Sequence, residues 1–249
     1  MSSRPTRASV LREVAHTLRP PPGDRHGPLV PMMLALTFLT GVVDAASYLR
    51  FGHVFVANMT GNLVFLGFAL AGAAGLSAIA SLVALGSFLV GAFLGGYLGS
   101  RNAEHRGHLL RAASVAQLSL IVIAVIVALA VGEPLSSGTR YALLVPMALA
   151  MGVQNATAQR LAVPDLTTTV LTRTFTGLAS EAGVLGGPGS KFGRRSISIA
   201  AMLLGAVAGA LLVLKVSIAA ALGVAGAIVL VVGLAVQMAS RAPGAWTRW

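Results

Sequence analysis

Between Pro28 and residue 240 the chain runs through eight apolar stretches, most of them about 20 residues long, divided by short charged or glycine-containing gaps. About 20 apolar residues in helical form cross a hydrocarbon core of about 30 Å. Inside that core no water satisfies a backbone N–H or C=O, so the chain must satisfy them within its own helices. Only 10% of the residues are charged and the mean hydropathy is +0.84. A soluble domain carries about 25% charged residues. The pattern predicts an all-α integral membrane protein.

The stretches fall at roughly 29–49, 54–73, 77–99 and 112–131, then 141–160, 166–185, 196–214 and 217–239. The second four repeat the order of the first. Gly41, Asp44 and Ala45 stand 111 residues before Gly152, Asn155 and Ala156 (41 to 152, 44 to 155, 45 to 156), and after a one-residue slip Thr60 matches Thr172. Similarity at a fixed offset is the mark of an internal duplication.

Charge decides how many stretches cross. The chain carries 18 Lys and Arg against 7 Asp and Glu, a net +11. A basic soluble protein would suggest a nucleic-acid partner, but these charges lie in the tail and short loops, without a basic and aromatic groove. No nucleic-acid partner is expected. Eight crossings would put Arg101, Arg106 and Arg111 outside, against the positive-inside rule. If 54–73 and 166–185 instead enter and return, the N-terminal tail, that loop, the Lys191–Arg195 loop and Arg241 and Arg248 all fall inside. The expectation is six transmembrane helices plus two interior broken or re-entrant segments, in a 3+3 inverted repeat with both termini cytoplasmic. Residues 1–28 form a basic cytoplasmic tail, 29–240 one membrane domain (repeats at about 29–131 and 141–239), and 241–249 a short cytoplasmic end. In the tail, Val10, Leu11, Val14 and Leu18 suit one face of a short interfacial helix ended by Pro20–Pro22. The alternatives are a solvated basic tail or an Arg-rich transit peptide. The first 28 residues have no apolar core of a cleavable signal.

The two re-entrant candidates carry the polar residues. The first opens with Asn58, Thr60 and Asn62; the second carries Thr168, Thr172, Arg173 and Glu181. Polar groups at membrane depth persist where protein buries them or a wet cavity meets them. Asp44 shares a helical stripe with Thr37, Thr40, Ser47 and Tyr48, which points it inward. It is a candidate proton carrier, cation ligand or ion-pair partner; its counterpart Asn155 cannot titrate. Arg173 needs an anion, from Asp44 or from a substrate. Asn58/Asn62 and Thr168/Thr172 stand at helical i, i+4 spacing, fit either for a ligand or for interhelical hydrogen bonds. The candidate substrate-binding set is Asp44, Asn58, Thr60, Asn62, Asn155, Thr168, Thr172 and Arg173.

Gly91, Gly95 and Gly99, and Gly205 and Gly209, recur every four residues, a spacing for close helix approach within one chain or in a homo-oligomer. There is no Cys, and His105 with His108 lacks a third ligand, so no metal site is expected. No catalytic motif is present, and neither an enzyme nor a cofactor is implied.

The residues G-x-x-D-A-x-x-Y-L and H-V-F-x-A-N-M-T-G-N-x-V-x-L-G within Gly41–Gly67, with G-x-Q-N-A and T-T-x-L-T between Gly152 and Thr172, resemble the YoaK family of multi-pass membrane proteins, domain of unknown function 1275. The resemblance covers about residues 30–240. It implies a bacterial inner-membrane location and supplies no substrate. In that family's pattern a glycine stands where this chain has Arg173. From the residues themselves, the expected function is a secondary transporter of a small polar or anionic solute, bound between the repeats. A channel with a fixed polar pore and a non-transporting membrane scaffold or sensor are the alternatives.

Overall fold

The computed structural model describes residues 15–18, 20, 21, 23–132, 134–164, 166, 168, 171–180, 192–242 and 244–249. These residues are helical, with no strand among them. The elements are α1 (Leu29–Arg50), α2 (Met59–Leu70), α3 (Ala78–Arg101), α4 (Arg106–Val131), α5 (Ser137–Leu161), α6 (Leu171–Ser180), α7 (Phe192–Lys215) and α8 (Ile218–Ala239). A single 3-10 turn follows at Ala245–Thr247. Six of them, α1, α3, α4, α5, α7 and α8, are long and apolar enough to cross a membrane. The other two have 12 and 10 residues, about 18 and 15 Å of helix, too short to cross.

Short polar side chains start the spans. Ser77, Ser136 and Ser217 each accept the amide of the residue three further on, at 3.2, 3.2 and 3.1 Å. His105 does the same at α4 through Nδ1, 3.2 Å from the His108 amide. Each satisfies one of the orphan donors at a helix start. The His105 cap explains why α4 begins at Arg106 and not at 112. Its first turn is charged and sits at the membrane interface, where hydropathy alone loses it. The same applies to α7, which includes Arg194 and Arg195 before the apolar run.

Two spans are central. Within their most apolar windows, 78% of α1 and 72% of α5 is buried, against 22 to 33% for the other four. The outer spans turn large side chains such as Phe93, Ile126, Leu211 and Leu230 outward, as helices facing lipid do. The polar residues therefore collect on α1 and α5, the helices that lipid does not reach.

Each central helix pairs with a span from the other half of the chain. A side chain at Gly91 would lie 2.8 Å from the Leu149 carbonyl carbon, and one at Gly205 would lie 2.8 Å from that of Phe38. A Cβ at Gly95 would lie 2.9 Å from the Val153 carbonyl oxygen, and one at Gly209 2.5 Å from that of Val42. A Cβ at Gly152 would lie 2.7 Å from the Ala92 nitrogen, and one at Gly41 2.6 Å from the Ala206 nitrogen. These are backbone-to-backbone approaches that only glycine permits. Gly99 in turn packs under the Arg160 side chain. The glycine stripes are thus covered inside one chain, α3 on α5 and α7 on α1. Of the two uses that their spacing allowed, this is close approach within one chain.

The two ends of the bundle have separate cores. Leu29, Leu109, Leu161, Val236 and Trp246 close one end; Phe51, Val54, Ala80, Ala128, Leu143 and Ile218 close the other. Phe51, Val54 and Ala80 share a cluster, so the α2 stretch leaves α1 and reaches α3 at the same end. Leu161, Val163 and Leu166 cluster with Ile197 at the opposite end, so the α6 stretch returns likewise. Both short helices enter and come back, from opposite ends.

Residues 24–27 and 244–249 meet at the first of these cores. Asp24 Oδ1 accepts the His26 and Gly27 amides at 2.7 and 2.9 Å and turns the chain into α1. Arg106 donates to the carbonyls of Arg25 (3.1 Å) and Leu161 and sits 3.2 Å from His26 Nδ1. Trp246 packs beside Gly27 and Gly107, and the Trp249 ring lies 5.8 Å from the Arg106 guanidinium and 5.5 Å from that of Arg160. Burial, with the Arg106 charge behind it, pushes the His26 imidazole below its ordinary value. Burial pushes Asp24 up, but the Gly27 and His26 amides outweigh this and hold its carboxyl below the usual range. Residues 23–28 and 244–249 are therefore parts of the packed body rather than tails. Residues 15–18 form a helical turn with Leu18 half-exposed; Val10, Leu11 and Val14 lie outside the described residues.

Candidate functional site

The segment between α1 and α2 is held by Asp44. Its Oδ1 accepts the amides of Val56 and Ala57 at 3.1 and 2.8 Å. Asp44 lies six residues before the end of α1, about 9 Å in from that end, so these bonds pull the segment inward and start α2 at depth. Asn62, fully buried, completes the clamp: its Oδ1 accepts the Phe55 amide at 2.8 Å and its Nδ2 donates to the Phe55 carbonyl at 2.6 Å. Irregular backbone at membrane depth needs such partners. Two polar side chains of the first motif thus hold the fold of the re-entrant segment.

A cavity of about 610 Å³ opens where α2 and α6 begin. Asn58, Thr60 and Gly61 face it from the first half, and Asn155, Gln159 and Thr172 from the second. Phe65, Phe88, Phe175 and Met202 supply apolar wall. Among the described residues this wall carries carboxamides and hydroxyls but no ionisable side chain. Such a surface offers both donors and acceptors to a small solute, with aromatic faces around them. Among the described residues no three His, Asp or Glu side chains come together in a way that could hold a metal ion.

Of the eight predicted residues, Asn58, Thr60, Asn155 and Thr172 meet at this cavity. Asp44 and Asn62 stand behind its wall, engaged by backbone. Thr168 is buried just ahead of α6, at φ +62°, with no hydrogen-bond partner for Oγ1 among the described residues. The helical i, i+4 register read for Asn58 with Asn62 and for Thr168 with Thr172 is not kept by the backbone. Asn58 and Thr168 precede their helices, with non-helical backbone at both, so each pair straddles a helix start. The Arg173 side chain lies outside the described residues, and with it the expected pairing of Arg173 with Asp44; Glu181 lies outside them too. What is described of Asp44 is its bonding to backbone amides. The stripe on α1 is satisfied largely by its own helix: Thr37, Thr40 and Ser47 donate to the carbonyls of Met33, Leu36 and Asp44.

Sequence reasoning missed Gln159, which stands at i+4 from Asn155 on the same face of α5, and the pair Phe88 and Met202. Those two are 114 residues apart (88 to 202), the same offset as Gly91 to Gly205. It also missed a buried amide chain behind the site. Gln117 Nε2 donates to Gln154 Oε1 at 2.7 Å, and Gln154 Nε2 donates to Thr40 Oγ1 at 2.9 Å, tying α4, α5 and α1 together.

No solved structure gives a significant match. The UPF0700 transmembrane protein YoaK of Bacillus subtilis (strain 168) is similar, 32% identical over 152 residues, which is 60% of this chain and 65% of that relative's length. The model of the family described as "Protein of unknown function (DUF1275)" matches residues 32–235. With six spans, two re-entrant helices and a match across most of its length, the chain belongs to that family of membrane proteins.

Proposed function

We propose that the protein is a secondary transporter of a small polar or anionic solute, built as a 3+3 inverted repeat, with its site in the cavity where α2 and α6 begin. The observation that carries this reading is the joint lining of one cavity by equivalent segments of both halves, each at the start of a short helix that enters from its own end. Discontinuous helices meeting near the midplane are how many carriers hold a substrate while two repeats rock around it. The reciprocal pairing of α1 with α7 and of α5 with α3, at matching offsets, supports the repeat. Helix starts favour negative charge. The Asp44 carboxylate already faces the start of α2, whereas neutral Asn155 stands in the equivalent place near α6. An anionic group would therefore settle toward Thr172 and Asn155, and neutral polar groups toward Asn58 and Thr60.

We read the location as a bacterial inner membrane with both termini cytoplasmic. The end where the termini meet carries Arg101, Arg106, Arg111, Arg160, Arg194, Arg195, Arg241 and Arg248, while Arg50, Arg140 and Lys215 mark the other. With no native Cys, Ala74→Cys and Glu104→Cys give clean reporters: an impermeant maleimide should label the first from outside and not the second. Labelling of both, or of Glu104→Cys alone, overturns the orientation.

The functional test starts from a thermal-shift screen of the purified protein against panels of metabolites and ions. At 100 times Kd a ligand adds about 2.7 kcal/mol. Saturable uptake of the hit into proteoliposomes, with counterflow, supports the carrier; uptake that does not saturate supports a channel. Asn155→Ala with Thr172→Ala should abolish the ligand shift while leaving the unliganded melt in place. No ligand shift and no flux across the panel would favour a scaffold or sensor.

A further inference from the structure

We propose that a second site, in the groove between the start of α4 and the end of α8, binds an anionic phospholipid. The groove encloses about 490 Å³. Its mouth carries Arg111, His108, Asn102 and Gln237; below them lie Val115, Leu118, Leu230 and Leu234. Gly233 contributes to the wall with no side chain of its own, while its backbone lies close to Ser114 of α4.

The shape fits one amphiphile. From Arg111 to Leu118 the groove descends seven residues, about 11 Å of helix. The floor residues Val115, Leu230 and Leu234 are 62, 47 and 53% exposed, on the outer face of the bundle where hydrocarbon is the solvent. An acyl chain is what that solvent offers such a floor. The mouth lies at the end of the bundle where the chain termini meet, at headgroup level. Arg111 is exposed there, and its guanidinium fork matches the two free oxygens of a phosphodiester. His108 stacks on His105 at 4.0 Å between ring centres, which holds its ring beside that position. Asn102 and Gln237 add neutral polar groups for the glycerol and ester oxygens. Among the described residues no carboxylate lines the groove.

The opposite end of the same helix pair provides the contrast. There a cavity of about 400 Å³, lined by Ala128, Leu129, Leu135, Val216 and Ser217, has no basic residue among the described residues that line it. Both openings are lipid-facing, and among the described residues that line them only the first has a charged side chain. A cationic mouth over an apolar groove between spanning helices is a headgroup site. Each cationic group near the surface is worth about 1 kcal/mol toward an anionic lipid, roughly a fivefold preference.

The test is native mass spectrometry of the detergent-purified full chain, titrated with dioleoyl phosphatidylglycerol or dioleoyl phosphatidylcholine. The anionic lipid should bind at least about fivefold more tightly. Arg111→Gln with His108→Gln should bring the two lipids to parity, whereas Arg241→Gln, at the same end but off the groove, should change nothing. If the double variant does not fold, Leu230→Trp on the lipid-facing floor takes its place, and it should weaken both lipids. Equal binding of the two lipids by the unaltered protein, an undiminished preference in the double variant, or undiminished binding by Leu230→Trp overturns the proposal. Displacement of the lipid by millimolar inorganic phosphate also overturns it, by revealing an anion site without an acyl floor. Neither outcome bears on the central cavity.

Discussion

The glycine contacts invite a perturbation that carries its own control. In Gly91→Ala the new Cβ would lie 2.8 Å from the Leu149 carbonyl carbon, and in Gly205→Ala 2.8 Å from that of Phe38. Carbon atoms rest at about 3.5 to 4.0 Å, and neither obstacle is a side chain that can turn away. The paired helices must separate by roughly 0.7 Å or more along the contact. Overpacking of this kind costs about 1 to 3 kcal/mol. Gly86→Ala and Gly96→Ala lie on the same α3, and a Cβ there meets nothing within 4 Å. They should keep the gain of up to about 1 kcal/mol that alanine brings to a helix. The two classes should therefore differ by about 1 to 4 kcal/mol, which for a chain of this size is roughly 2 to 16 °C in Tm. The assay is thermal unfolding in one detergent at one lipid content, with all four variants read side by side. Gly91→Ala and Gly205→Ala should fall together, because they interrupt equivalent contacts. If they melt with Gly86→Ala and Gly96→Ala, the close pairing of α3 with α5 and of α7 with α1 is refuted.

Three further outcomes follow from single side chains. Asn62→Ala leaves the Phe55 N–H and C=O without the partners they have, at about 1 to 3 kcal/mol each, so it should melt far below the parent; an unchanged melt would remove the clamp. Asp44→Asn keeps an oxygen for Val56 and Ala57 and loses only charge assistance, about 1 to 2 kcal/mol, whereas Asp44→Leu loses both bonds and should be lower still. Equal melting of those two variants would show that the amides do not depend on Asp44. His26 has an imidazole pushed below its ordinary 6.5, so the unfolded chain takes up its proton first as the pH falls. The stability it contributes is complete above 6.5 and declines as the pH drops through 6.5 toward its lower folded value. Melting between pH 7.5 and 5.5 should show this decline, and His26→Gln should lose that component; an identical slope in the variant would refute the assignment.

Much of the architecture was legible because hydrocarbon imposes one rule on every residue it meets. The span ends at Arg50 and Ala239 fall within a residue of where hydropathy places them. The starts of α4 and α7 do not, because His108, Arg111, Arg194 and Arg195 are charged or polar residues carried at the interface within helices. The site was legible only in part. Asn58, Thr60, Asn155 and Thr172 could be picked out as polar residues in apolar surroundings, but the same signal picked Asn62, which serves the backbone of Phe55. Residue type at a position does not tell which way a side chain turns at a helix start. Phe88 and Met202 carry no polar signal at all, and only the offset between halves would have pointed to them.

The interleaving of the halves has a consequence for biogenesis. A ribosome delivers α1 to the membrane with Gly41 and its neighbours ready, yet the backbone they touch, at Met202 and Ala206, is made about 160 residues later. The α3 surface must likewise wait for α5. Contacts so distant in sequence form late. During synthesis the first four helices therefore depend on lipid, or on the insertion machinery, to cover faces that protein covers in the finished molecule. Closure at the other contacts comes later still, when Trp246 reaches Gly27 and Trp249 reaches Arg106, partners made about 220 and 140 residues earlier.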